Sequence, residues 1–110
     1  MLKKTKVMLV DDHAALRMGL AVLLRSNREI DVVADVGDGA SAVREAERTH
    51  PDVVLMDLMM PGMDGVEATQ KVLAACPETH VVILTTFGTA DGICQAMSAG
   101  ATGALLKSVD

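Results

Sequence analysis

Three aspartates, a threonine pair and a lysine are the residues of this chain best suited to chemistry: Asp11 with Asp12, Asp57, Thr85 with Thr86, and Lys107. Each follows a short apolar run. Carboxylates pressed together repel and raise one another's pKa. A divalent cation removes that penalty, and a few hard oxygen ligands suit Mg²⁺, which keeps some of its waters and accepts phosphate oxygens. Lys107 and a threonine hydroxyl add a point charge and a hydrogen bond for a phosphoryl group. An aspartate carboxylate can also attack phosphorus to give an aspartyl phosphate, so Asp57 is a candidate nucleophile as well as a ligand. The plainer reading is that Asp12 and Asp57 cap helices and Lys107 is a solvated end residue. It accounts for any one of them better than for the whole set at matching strand ends.

For these groups to meet, the apolar runs must end on one rim. The runs are Val7–Val10, Asp31–Ala34, Val53–Met56, Val81–Leu84 and Ala104–Leu106. Four are nearly continuous rather than alternating, as in parallel strands covered on both faces. Between them, Leu16, Leu20, Leu23 and Leu24 form the stripe of a buried helix face. Val43 with Ala46, Val66 with Leu73, and Ile93 with Met97 mark three more helices. Asp12, Asp38, Asp64 and Thr89 stand where N-caps are expected. The alternation predicts an open parallel α/β sheet with helices on both faces, whose ligands bind beyond the carboxyl ends of the strands. No fifth helix follows the fifth strand. The reading is therefore a domain cut before its last helix, leaving apolar strand uncovered and prone to self-association.

Composition narrows the function. The 110 residues carry 10 Lys+Arg against 15 Asp+Glu, a net charge of −5, with one Phe and no Trp or Tyr. That excludes a basic or base-stacking nucleic-acid surface. The hydrophobic share is 50% and the mean hydropathy +0.33, enough for a packed core. Apolar runs such as Leu20–Leu24 fall far short of the ~20 residues of a membrane span, and the basic start lacks the apolar stretch of a signal peptide. Cys76 and Cys94 read as buried thiols in a reducing cytosol. His13 adjoins the acidic pair but reads as a solvated first-turn residue. Met59, Met60 and Met63 near Asp57 suit a partner surface. Gly92, inside the fourth helix, weakens it.

Val10-Asp11-Asp12, the run Asp57-Leu58-Met59-Met60-Pro61-Gly62-Met63-Asp64-Gly65, Leu84-Thr85-Thr86, and Ala99-Gly100-Ala101-Thr102-Gly103 followed by Lys107 together resemble a receiver domain of two-component response regulators, over residues 6–107. Asp11-Asp12-His13 with Arg17-Met18-Gly19-Leu20 is similar to the branch that precedes a LuxR-type helix-turn-helix domain. The resemblance implies a flavodoxin-like fold, strand order 2-1-3-4-5, with residues 1–110 as the receiver and the output domain absent. It implies Asp57 as phosphoacceptor from a sensor histidine kinase, and Mg²⁺ on Asp12, Asp57, the Met59 backbone carbonyl and, through water, Asp11. Thr85 is then the switch hydroxyl, Lys107 pairs with the phosphoryl group, and the Thr86 backbone N–H holds one of its oxygens. The protein would be cytoplasmic, touch DNA only through its output domain, and be no enzyme beyond assisting its own phosphorylation and dephosphorylation.

Departures from the pattern bear on signalling. Met59 and Phe87 are apolar where the family aligns the hydrolytic water, which predicts slow dephosphorylation. Ala104 replaces the usual switching aromatic, and Ser108 stands where many receivers have Pro. Two alternatives are weaker. A haloacid-dehalogenase-type phosphatase needs an Asp-x-Asp after the first strand, which Asp11-Asp12-His13 does not supply. A phosphorylation-independent pseudo-receiver would have no use for an intact acidic site.

Overall fold

The computed structural model describes residues 3–85 and 90–106. Strands and helices alternate as β1 (Thr5–Val10), α1 (Ala14–Arg25), β2 (Ile30–Val36), α2 (Gly39–Thr49), β3 (Val53–Asp57), α3 (Gly65–Ala75), β4 (His80–Thr85), α4 (Ala90–Ser98) and β5 (Gly103–Leu106). The strands make one parallel sheet, ordered β2-β1-β3-β4-β5. The order implied by the resemblance is the order found. From β1 the chain steps outward to β2 and then returns past β1 to β3, so a crevice opens where β1 and β3 end.

Strand alternation builds two cores. Met8 and Val10 join Ala42, Ala46, Ala68, Val72 and Ala96 of α2, α3 and α4. Val7 and Leu9 point the other way, onto Leu20, Ala21 and Leu24 of α1. Coverage is unequal. On the α2–α4 side Val54, Met56, Val81 and Ile83 are fully buried, whereas Leu55, Val82 and Leu84 on the other side are half-buried and Leu105 is 59% exposed.

The edge strand β2 departs from simple alternation. Val7 lies opposite Val32 and Met8 opposite Ala34, so Val33 is an extra residue with no partner on β1. This bulge changes the facing of everything after it. Ile30 and Val32 pack with α1, while Ala34 and Val36 pack on the opposite core. β2 is accordingly longer than the Asp31–Ala34 run that sequence indicates.

Asp38 and Asp64 cap α2 and α3 as expected, accepting from the backbone N–H of Ser41 at 2.7 Å and of Glu67 at 2.9 Å. Asp12 does not cap α1. Asp11 accepts from the His13 N–H at 2.8 Å, an Asx-type turn that delays the helix by one residue and makes His13 its N-cap, without a side-chain cap bond. Thr89 lies outside the described residues. The buried stripe of α1 is also shifted: Leu20, Ala21 and Leu24 face the sheet, whereas Leu16 is 39% and Leu23 69% exposed. Met97 of α4 is likewise exposed, Ala96 taking the inward position. Cys76 is buried, but Cys94 is exposed, correcting the expectation of two buried thiols. In α1 and α4 the small Ala21 and Ala96 take the inward positions, and the larger Leu23 and Met97 are left on the flanks.

Candidate functional site

Three strand ends make up the site. Asp11 follows β1 directly and is buried, its N–H donating to the Val36 carbonyl at 3.1 Å. Asp57 is the last residue of β3 and Thr85 the last of β4, both buried. After β3, the Leu58 N–H donates to the Leu84 carbonyl and its own carbonyl accepts from Gly65 at 2.9 Å. A Cβ on Gly65 would collide with the Asp57 carbonyl oxygen, so only glycine lets α3 begin against the Asp57 backbone.

The acidic groups converge. Asp11, Asp12, His13 and Asp57 each place one ligand atom within 4.8 Å of all the others. His13 Nδ1 stands 3.2 Å from Asp11 Oδ1, 3.3 Å from Asp12 Oδ1 and 4.0 Å from Asp57 Oδ2. Asp11 and Asp57 lie at the bottom, Asp12 is partly exposed and His13 is at the mouth. Neither Asp12 nor Asp57 caps a helix, since His13 and Asp64 hold those positions. The plainer reading of both residues therefore fails. Three carboxylates this close repel, and a compact set of hard oxygen donors fits Mg²⁺.

The remaining candidates divide. Thr85 reaches the rim beside Asp57, and β4 pairs there with β5 through Leu106. Met59 is 70% exposed just past Asp57. Ala104 lies half-buried on β5 opposite Ile83. Thr86, Phe87, Lys107 and Ser108 lie outside the described residues. Sequence reasoning undervalued His13, whose ring joins the acidic cluster rather than solvent alone. It also gave no role to Arg17, which donates to the Asp11 carbonyl at 2.5 Å and pairs with Asp35. The available signal was a lone cation one turn ahead of Leu20, Ala21 and Leu24 on the buried stripe of α1.

Comparison with known proteins agrees with this geometry. Residues 7–110 match the response regulator receiver domain. The transcriptional regulatory protein LiaR of Bacillus subtilis is 42% identical over 103 residues, covering 94% of this chain and 49% of the relative. The chain thus spans about half the length of the curated relatives it matches. Among solved structures, the signal receiver domain of the putative response regulator NarL from Mycobacterium tuberculosis superposes with a TM-score of 0.90 at 33% identity, over 98% of this chain and 87% of that one. A LuxR-family two-component response regulator from Aurantimonas sp. SI85-9A1 also gives 0.90, at 35% identity, over 98% and 77%. The order of the sheet, the acids at its carboxyl rim and these matches together show that the chain belongs to the response regulator receiver domain family.

Proposed function

We propose that this domain is a phosphorylation-switched receiver that takes a phosphoryl group onto Asp57 from a sensor histidine kinase. The observation that carries the reading is the meeting of Asp11, Asp12 and Asp57 at the strand-order reversal, with neither Asp12 nor Asp57 engaged as a helix cap. In the transfer, a carboxylate oxygen of Asp57 attacks phosphorus. The new P–O bond forms as the P–N bond of the phosphohistidine breaks, and the imidazole leaves with the electron pair and takes up a proton.

Asp12, Asp57 and the Met59 backbone carbonyl would hold Mg²⁺, with Asp11 acting through water. The chemistry supplied by the bound cation is neutralisation of the carboxylates and of the charge on the phosphoryl oxygens. Thr85, buried beside Asp57, supplies a hydroxyl that follows the phosphoryl group. Lys107 and the Thr86 N–H complete its contacts by the family resemblance. The domain has no separate substrate and assists only its own phosphorylation and dephosphorylation. The names of relatives such as LiaR support an output at DNA through a further domain. No helix among the described residues is long and apolar enough to cross a membrane; the family resemblance makes the regulator cytoplasmic.

Acetyl phosphate with Mg²⁺ tests this directly. The intact mass should rise by one phosphoryl group, and Asp57→Asn or EDTA should each prevent the gain. Undiminished labelling of Asp57→Asn would overturn the assignment. A parent chain that gains no phosphate would instead favour a phosphorylation-independent interaction module.

A further inference from the structure

We propose that Arg17 is a positioning residue for the acidic site, bracing the Asp11–Asp12 turn against Asp35 of β2. This rests on the reading of Asp11, Asp12 and Asp57 as a metal and phosphoryl site. Arg17 Nη1 donates to the Asp11 carbonyl oxygen at 2.5 Å, and its Nε forms an ion pair with the Asp35 carboxylate. Both side chains are largely buried, at 20% and 26% exposure. The space for the guanidinium is left by Gly37: a Cβ there would lie 3.0 Å from Arg17 Nη1 and 3.9 Å from the Asp11 carbonyl oxygen.

Asp11 is consequently held at every polar group of its backbone and at its side chain. Its N–H donates to Val36, its carbonyl accepts from Arg17, and its carboxylate accepts from the His13 N–H. The Asp11 carbonyl belongs to the peptide plane that leads into Asp12. Fixing that plane fixes the direction in which Asp12 enters the cluster. The groups Arg17 meets are the Asp11 carbonyl and the Asp35 carboxylate, so it acts on the site through Asp11 and Asp12.

The β2 bulge makes the brace possible. Because Val33 is an extra residue, Asp35 comes opposite Leu9, on the face that α1 covers. In uninterrupted pairing, Ala34 would occupy that place and Asp35 would turn toward the other core. The pairing also resolves an electrostatic conflict. A bare guanidinium beside a cation site would oppose metal binding, but Asp35 neutralises it, so the pair supplies geometry without net positive charge. Arginine suits the task because its extended planar guanidinium reaches the Asp11 carbonyl with Nη1 while its Nε end stays against the Asp35 carboxylate, whereas a lysine ammonium is a single point charge.

Titration of the chain with Mn²⁺, followed by the electron paramagnetic resonance signal of the free ion, tests the proposal apart from phosphorylation. Mn²⁺ favours the same oxygen ligands as Mg²⁺. Loss of an outer-shell partner typically weakens metal binding by about 10–100-fold. Arg17→Met should therefore weaken Mn²⁺ binding at least about tenfold, and Arg17→Lys should not restore it. Asp35→Asn should weaken binding as well, and the double variant should bind no worse than Arg17→Met, because both changes break one brace. Gly37→Ala keeps every charged group while crowding the guanidinium, so weaker binding with unchanged circular dichroism supports the proposal even if the Arg17 variants fail to fold. Parent-like binding by Arg17→Met or, should that variant not fold, by Gly37→Ala would overturn the proposal. Full rescue by lysine or additive losses in the double variant would overturn it too. Asp12→Asn separates the two levels: if it also binds Mn²⁺ like the parent, the reading of the metal site itself falls.

Discussion

Met59 and Asp57 are two residues apart, yet one is 70% exposed and the other is buried at the end of β3. A thioether is at best a weak acceptor, so Met59 cannot orient or polarise a water approaching an aspartyl phosphate from outside. Met59→Asn should therefore shorten the lifetime of the phosphorylated state while leaving phosphorylation intact. One added hydrogen bond in the transition state is worth about 1 kcal/mol, or roughly fivefold in rate. A time course of phosphoryl loss by intact mass measures it, and equal decay in parent and variant would show that Met59 does not limit hydrolysis. Gly65 acts at the same scale: the missing side chain lets α3 start against the Asp57 carbonyl.

At the scale of elements, caps decide where helices begin and so where the strand-end acids point. Asp38 illustrates a cap whose charge matters. The Ser41 backbone N–H, and then the Ser41 hydroxyl, hold its carboxyl below its ordinary value of 3.8. A depressed folded pKa means a contribution that is complete above the ordinary value and lost as pH falls through the lower folded one. Asp38→Ala should cost about 1 kcal/mol at neutral pH, as N-cap removals usually do. Urea unfolding at pH 7 and again near pH 3 should show the gap between parent and variant narrowing in acid. A gap of constant size would mean that the carboxylate charge is not what caps α2. The same logic explains Asp12. Asp11 closes the turn before α1, so Asp12 is left to the cluster rather than to the helix.

The whole molecule is unevenly clothed. One sheet face is sealed by α2, α3 and α4, while among the described residues α1 alone packs on the other. Leu55, Val82 and Leu84 are only half-buried there and Leu105 is mostly exposed. Apolar surface of this kind is commonly covered by association. Light scattering of the 110-residue chain at high micromolar concentration should therefore report self-association, and Leu105→Glu should shift it toward monomer. A parent that stays monomeric across that range would remove the expectation.

Much of this protein was legible in its residues alone. Continuous apolar runs between helical stripes determined a parallel sheet, and the polar residue closing each run marked the rim where Asp11, Asp12 and Asp57 meet and where β4 ends in Thr85. Both signals are local: strand and helix periodicity depend on neighbours in sequence, and the ligand-binding end of such a sheet follows from its topology. Periodicity left open which flank of α1 would be buried, since Leu16, Leu20, Leu23 and Leu24 satisfy the repeat equally well. Packing selected Leu20, Ala21 and Leu24. The unpaired Val33 was likewise invisible in sequence, because a bulge arises from the register between two strands rather than from the composition of one. That single residue decides which face Asp35 takes. The partner of Arg17, and with it the hold on the Asp11 carbonyl, was settled only by the tertiary structure.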